Sequence, residues 1–235
     1  MSRSLKLILV TEFPKSGGTW LCKMLSDLLM LDFPENELPQ FRESIMHGHH
    51  LNSSKFSMPI VLVRDGRDVM VSYYYHLLLG NNEVSDRTVR RYRDRLKFDN
   101  YEDVRTNMPR FIRYMFSEYP NEMNRFSWAQ FVRSYLERDE PKILVKYESL
   151  LSECSFELEK IVLQLGRVTP DTIEVDHIVS KYSFANMSKR KPGEEDKKSF
   201  LRKGVAGDWK NNFNLEAQQL FDHFAGRELS ELGYV

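Results

Sequence analysis

The chain predicts an α/β fold with a mostly parallel central sheet flanked by helices. Short, continuous apolar runs recur at residues 5–10, 59–64 and 142–147, and unbroken runs of about four to eight apolar residues suit strands buried on both faces. Segments with helical spacing separate those runs, as in Trp20, Leu21, Met24, Leu25, Leu28 and Leu29. Strand alternating with helix is the pattern of parallel sheets. A tight loop with a lysine and two adjacent glycines, residues 14–18, joins the first strand to the first helix in the manner of a phosphate loop.

Taken in order, residues 5–10 read as a buried strand and 19–31 as the first helix. Residues 44–50 read as a second strand, 59–64 as the clearest strand, and 67–79 as the helix that follows it. The highly charged stretch 85–103 reads as exposed or mobile. Residues 128–138 read as a helix and 142–147 as another strand. Residues 152–165 form a helix in this reading, with Ser152 as N-cap and Gly166 beyond its end. Thr169 and Pro170 suit a helix start. Residues 189–198 are a polar loop, and Asn214 caps a last helix over 215–229. No repeat or low-complexity linker divides the chain, so residues 1–235 read as a single domain.

Composition excludes several classes. Lys plus Arg equals Asp plus Glu at 34 each, so bulk charge does not suit a chain that coats nucleic acid. The two cysteines, Cys22 and Cys154, offer no disulfide framework and fit a reducing, cytoplasmic setting. No apolar run approaches the ~18 residues of a spanning helix, and the 5–10 run is too short for a secretory leader.

Ligands of open parallel sheets bind beyond the carboxyl ends of the strands. The first such segment is Phe13-Pro14-Lys15-Ser16-Gly17-Gly18-Thr19-Trp20. Its glycines permit a tight turn, the following helix presents free N–H groups, and Lys15, Ser16 and Thr19 add cationic and hydroxyl donors. A phosphate or sulfate suits that inventory. The loop is not a Walker A motif, because its lysine precedes the glycines. It resembles the 5′-phosphosulfate loop of sulfotransferases that use 3′-phosphoadenosine 5′-phosphosulfate (PAPS), Pro-Lys-Ser-Gly-Thr-Thr-Trp, with Gly18 in place of a threonine. The resemblance implies that Lys15, Ser16, Gly17, Gly18 and Thr19 hold the 5′-phosphosulfate, that Lys15 contacts the leaving oxygen, and that Trp20 stacks on adenine.

Further segments resemble the same family in the same order. The run from Arg64 to His76 is similar to its 3′-phosphate element, Arg-x-Pro-x-Asp-x-x-x-Ser-x-Tyr, which assigns Arg64 and Ser72 to that phosphate, with Gly66 replacing the proline and Asp68 structural. An arginine suits the task because its guanidinium forks onto a phosphate. Phe200-Leu201-Arg202-Lys203-Gly204-Val205-Ala206-Gly207-Asp208-Trp209-Lys210 matches the family's Arg-Lys-Gly-x-x-Gly-Asp-Trp-Lys signature and implies further cofactor contacts from Phe200, Leu201, Arg202, Lys203 and Gly204. Tyr147-Glu148 resembles its Tyr-Glu-Asp element, and Ser183-Phe184-Ala185-Asn186-Met187 its Ser-Phe-x-x-Met element near adenine. The family implies PAPS as donor, PAP as product and no metal. The compact length and the departures from the eukaryotic pattern point to a bacterial enzyme of secondary metabolism.

In the family the base lies on the strand before the arginine strand, often within Lys-x-His-Leu. Here that segment is His47-Gly48-His49-His50-Leu51, and two registers are open. One makes His49 the base, with His47 on the same strand face; the other makes His50 the base. A metal site is the rival reading of the three histidines, but adjacent and alternate strand positions cannot all converge on one ion, and no acidic or cysteine partner lies nearby at useful spacing. The expected reaction is in-line transfer of a sulfuryl group to a small-molecule hydroxyl or amine. Two alternatives stand beside it. A P-loop small-molecule or nucleotide kinase would need a Lys-Ser/Thr after the glycines. A nucleotide-binding module without turnover would lack the lysine or the base. The acceptor loops fall at 32–42, 81–108 and 120–128, whose aromatics and charges suit a flat or a polar natural product. The family's dimer element is not matched at 211–215, which points to a monomer or weak dimer.

Overall fold

The computed structural model describes residues 7–35, 43–52, 56–123, 125–168 and 171–235. Leu5 and Lys6 of the expected first strand, residues 36–42 of the first acceptor loop and the Thr169-Pro170 helix start lie outside the described residues.

In chain order the elements are β1 (Leu7–Glu12), α1 (Gly18–Leu29), β2 (Ser44–Gly48), β3 (Ile60–Val63) and α2 (Gly66–Tyr74), which runs into a π turn at Tyr75–Leu79. There follow α3 (Asp86–Arg95), α4 (Val104–Ser117), a 3-10 turn at Tyr119–Asn121, α5 (Trp128–Leu136), β4 (Ile143–Lys146), α6 (Tyr147–Ser152) and α7 (Cys154–Gln164). The last are α8 (Thr172–Lys181), α9 (Phe184–Ser188), α10 (Trp209–Asn212) and α11 (Leu215–Glu231). No helix among the described residues is long and apolar enough to cross a membrane.

The chain forms two compact units: Met1–Arg64 with Ser134–Arg190, and Asp65–Arg133 with Lys191–Val235. The first unit holds the sheet, in the order β2-β1-β3-β4. Every pairing is parallel, as continuous apolar runs require. One sheet face carries Ile8, Val10, Ile45, Ile60, Leu62, Ile143 and Val145, packed with Leu21, Leu25 and Leu28 of α1, Leu158 and Ile161 of α7, and Val175 and Ile178 of α8. The other-face residues Leu9 and Val61 are buried as well.

The second unit packs aromatic side chains. Tyr74 of α2 meets Phe111 of α4 edge-on at 5.2 Å, and Phe221 of α11 lies 5.4 Å from Phe116 and 5.7 Å from Trp128. Pro109 inside α4 removes the N–H that would bond the Arg105 carbonyl. That carbonyl accepts instead from Asn214 Nδ2 at 3.3 Å, while Asn214 Oδ1 accepts the Ala217 N–H at 2.8 Å and caps α11.

One local expectation is refined and another corrected. The charged stretch 85–103 is largely exposed, as expected, but contains a regular helix, α3. Ser85 caps it by accepting the Thr88 N–H at 3.3 Å, and buried Tyr92 anchors it, so a single aromatic substitutes for an apolar stripe. Ser152 does not start a helix. It ends α6, its hydroxyl donating back to the Glu148 carbonyl at 3.2 Å, and Glu153 precedes α7. Gly166 does follow α7, with φ of 67°.

Replacing Asn214 by Ala removes both the cap and the partner of the Arg105 carbonyl. Urea unfolding followed by circular dichroism should show a loss of about 1–2 kcal/mol.

Candidate active site

In the first unit, the loop from β1 to α1 makes a strained turn. Lys15 has φ of 76° and Gly17 φ of 106°; the left-handed region is costly for a residue with a β-carbon. Ser16 holds the turn, its hydroxyl donating to the Phe13 carbonyl at 2.7 Å and its N–H to the same oxygen at 3.2 Å. Its side chain is therefore engaged within the loop. A β-carbon on Gly17 would lie 2.8 Å from Tyr147 Cδ2. Thr19, half-buried, is the second residue of α1.

Arg64, just past β3, donates from Nη1 to the Lys15 carbonyl at 3.3 Å. Its guanidinium stacks 4.4 Å from the centre of the Tyr147 ring. Trp20 meets the same tyrosine edge-on at 5.9 Å and donates its indole N–H to the Tyr182 carbonyl at 2.8 Å. Beside Tyr182, Ser183 caps α9 by accepting the Asn186 N–H at 3.3 Å, and Arg190 lies 5.3 Å over the Phe184 ring. Lys15, Arg64 and Tyr147 are thus brought together, and Trp20 links Tyr147 to the α8–α9 junction at Tyr182.

The histidine segment lies along β1. The register pairs Val10 with His47 and Thr11 with Gly48, and His49 follows directly on the end of β2. Glu12 is only 3% exposed. Its Oε2 accepts the Gly18 N–H at 2.6 Å, its Oε1 lies 3.2 Å from His47 Nε2, and its carbonyl lies 3.1 Å from His49 Nδ1. The His47 and His49 rings are 5.2 Å apart. The His49 pKa is lowered from the ordinary imidazole value, chiefly because the surrounding protein strips water from the charged ring. Glu12 opposes the shift, and His47 and His50 add to it. The residue as a whole reaches the surface. His50 lies outside this cluster. Its main chain bonds Thr11 through both N–H and carbonyl at 3.2 Å, Tyr135 donates to the same carbonyl at 3.1 Å, and its ring lies against Gly48.

In the second unit, the start of α2 holds the 200–210 segment. Asp68 accepts the Gly207 N–H at 2.6 Å and the Trp209 N–H at 2.8 Å. Arg67 forks onto Asp65, at 2.9 Å from Nε to Oδ1 and 2.8 Å from Nη2 to Oδ2, and lies 4.0 Å over the Trp209 ring. Arg202 donates to Asp208 at 2.7 Å, bonds Glu195 and lies 4.5 Å over Tyr75; Lys203 donates to Asp208 at 2.5 Å. The two cations thus sit on acidic partners that an incoming phosphate would have to displace. Gly204 has φ of 65°. The Phe200 N–H donates to Asn82 Oδ1 at 2.9 Å, and Leu201 and Ser72 are half-buried.

Comparison with known proteins identifies the family of the chain. Residues 46–233 match the family model described as a sulfotransferase domain. The chain belongs to the sulfotransferase family. Dog sulfotransferase 1B1 is 26% identical, the alignment covering 95% of this chain and 83% of the relative. Human sulfotransferase 2A1 is 24% identical, with 96% and 85% covered. The fold is shared with mouse sulfotransferase SULT7A1 complexed with PAP, at a TM-score of 0.65 and 20% identity over 97% of this chain and 85% of that one. Retinol dehydratase in complex with androsterone and PAP aligns at a TM-score of 0.59, 16% identity and 96% and 81% coverage.

The structure accounts for both departures from the sulfotransferase loop patterns. A β-carbon at Gly18 would lie 2.7 Å from Glu12 Cδ and would meet His47 Nε2, so the volume of the expected threonine is filled from β1 and β2. A β-carbon at Gly66 would lie 2.6 Å from Phe221 Cζ and 2.7 Å from the Trp128 ring. Sequence reasoning overlooked Glu12. The available signal was an acidic residue two positions beyond an apolar strand, immediately before the phosphate-loop motif.

Burial pushes the Asp208 carboxyl up, but hydrogen bonds from Lys203, Asn211 and Arg202 outweigh it and bring its pKa down to about 2. An unfolded aspartate titrates near about 3.9. The folded value is the lower one, so the stability this group contributes is complete above about pH 4 and fades as pH falls towards 2. Asp208→Asn should cost about 2 kcal/mol at pH 7. In urea titrations at pH 7, 5, 4 and 3, the gap from wild type should stay constant down to about pH 4 and then narrow.

Proposed function

We propose that this sulfotransferase, a single domain over residues 1–235, moves a sulfuryl group from PAPS to a hydroxyl or amine of a small-molecule acceptor, with His49 as the base. The donor class follows from family membership. The carrying observation for the base is the cluster in which His49 Nδ1 faces the Glu12 carbonyl at 3.1 Å while His50 lies apart. With its Nδ1–H donated to that carbonyl, His49 presents the bare Nε2. The kinase alternative has no support from the loop, whose cation, Lys15, precedes the glycines.

The residues present suit the donor. Lys15 supplies a cation at a turn whose backbone is fixed by Ser16, Arg64 braces that turn through the Lys15 carbonyl, and Trp20 and Tyr147 offer ring faces. Bound PAPS supplies the sulfuryl group, and the S–O bond to its 5′-phosphate breaks as PAP leaves. In this reading His49 Nε2 accepts the proton of the attacking hydroxyl or amine. Lys15 neutralises charge on the leaving phosphate oxygen. Arg64 and Ser72, with Phe200 to Gly204, are assigned to the 3′-phosphate; Trp20, Ser183 and Phe184 are assigned to adenine. The free thiols of Cys22 and Cys154 fit a reducing, cytoplasmic setting, and a monomer or weak dimer is the proposed state.

Isothermal titration should give micromolar binding of PAP, a much weaker response to ATP, and a loss of at least tenfold in Arg202→Ala. Preference for ATP with magnesium would overturn the reading. With radiolabelled PAPS and a panel of phenols and amines, Lys15→Ala and His49→Asn should each lower kcat by about 10²–10⁴. His50→Asn should stay within threefold of wild type; the reverse ranking of the two histidines would reassign the base.

A further inference from the structure

The Glu12, His47 and His49 cluster has the ligand set of a metal site. One ligand atom from each residue lies within 4.8 Å of the other two. Around an ion bonded at ~2.0–2.1 Å, tetrahedral ligands stand ~3.3 Å apart, and Glu12 Oε1 and His47 Nε2 are already 3.2 Å apart. Two of the three ligands also have an outer-shell partner. Ligating histidines characteristically donate their other ring N–H to a carbonyl or carboxylate, and ligating carboxylates are themselves hydrogen-bonded. His49 Nδ1 faces the Glu12 carbonyl at 3.1 Å, which leaves Nε2 for an ion, and Glu12 Oε2 takes the Gly18 N–H at 2.6 Å, which leaves Oε1. Burial falls from Glu12 through half-buried His47 to surface-reaching His49, so the cluster has a floor and an entrance.

We propose that Glu12, His47 and His49 bind a divalent first-row transition ion of the zinc type, and that this ion blocks sulfuryl transfer. Two imidazoles and one carboxylate suit zinc, which such sites hold with three protein ligands and a free position for water. No step of the transfer uses the ion. Its inhibitory effect rests on the assignment of His49 as base, because a ligated imidazole cannot accept a proton. Binding itself stands independently of that assignment.

The test is titration of the purified full chain with zinc chloride in a non-chelating buffer. The expected result is one zinc per chain, weakened at least tenfold in each of Glu12→Gln, His47→Asn and His49→Asn and unchanged in His177→Asn and His223→Asn. Thermal melts confirm that the variants are folded. Cobalt(II) on the wild-type chain gives a readout that needs no variant: visible absorption bands of a low-coordinate site, displaced by zinc. No stoichiometric zinc, no cobalt bands, or equal binding by the cluster variants would overturn the site. Stoichiometric zinc that leaves PAPS turnover unchanged would retain the site and overturn its inhibitory role, pointing away from His49 as base.

Discussion

Burying an ionised carboxylate costs several kcal/mol unless donors surround it, and Glu12 meets that constraint at the end of the central strand. Its partners are the first amide of α1 and the ring of His47. A helix N-terminus leaves its first N–H groups without partners and carries partial positive charge, so the pairing satisfies the helix as much as the acid. The phosphate loop, the first helix and the histidine strand are thereby fixed to one another. Moving any one of them would leave a charge or an amide unsatisfied.

The second unit solves a similar problem with a different residue. Asp68 takes two main-chain amides of the 207–209 turn, and Arg67, clamped by Asp65, stacks on Trp209. Two segments far apart in sequence are thereby held as one piece. The acidic residue expected to be structural is structural in this specific sense: it fixes the backbone that carries Arg202 and Lys203.

The parallel sheet was legible because strands buried on both faces have nothing to alternate with, as at residues 60–63. The family was legible in the sequence because five short motifs stand in family order between Phe13 and Lys210. Helix α3 was not, since one buried tyrosine and a serine cap leave no periodic apolar signal. The role of Glu12 was hidden for a related reason. Its partners lie on a helix six residues later and on a neighbouring strand, and only the strand register brings them together. Their contacts separate His49, on the Glu12 carbonyl, from His50, whose main chain bonds Thr11 and Tyr135, which adjacency in the sequence cannot do.

The carboxylate under the first loop also alters what that loop can recognise. A helix N-terminus with a lysine would ordinarily attract any phosphate, but here part of its positive potential is already spent on a fixed internal anion. Coulombic attraction for any further anion at this end of α1 is correspondingly weaker than at a helix start whose first amide is open.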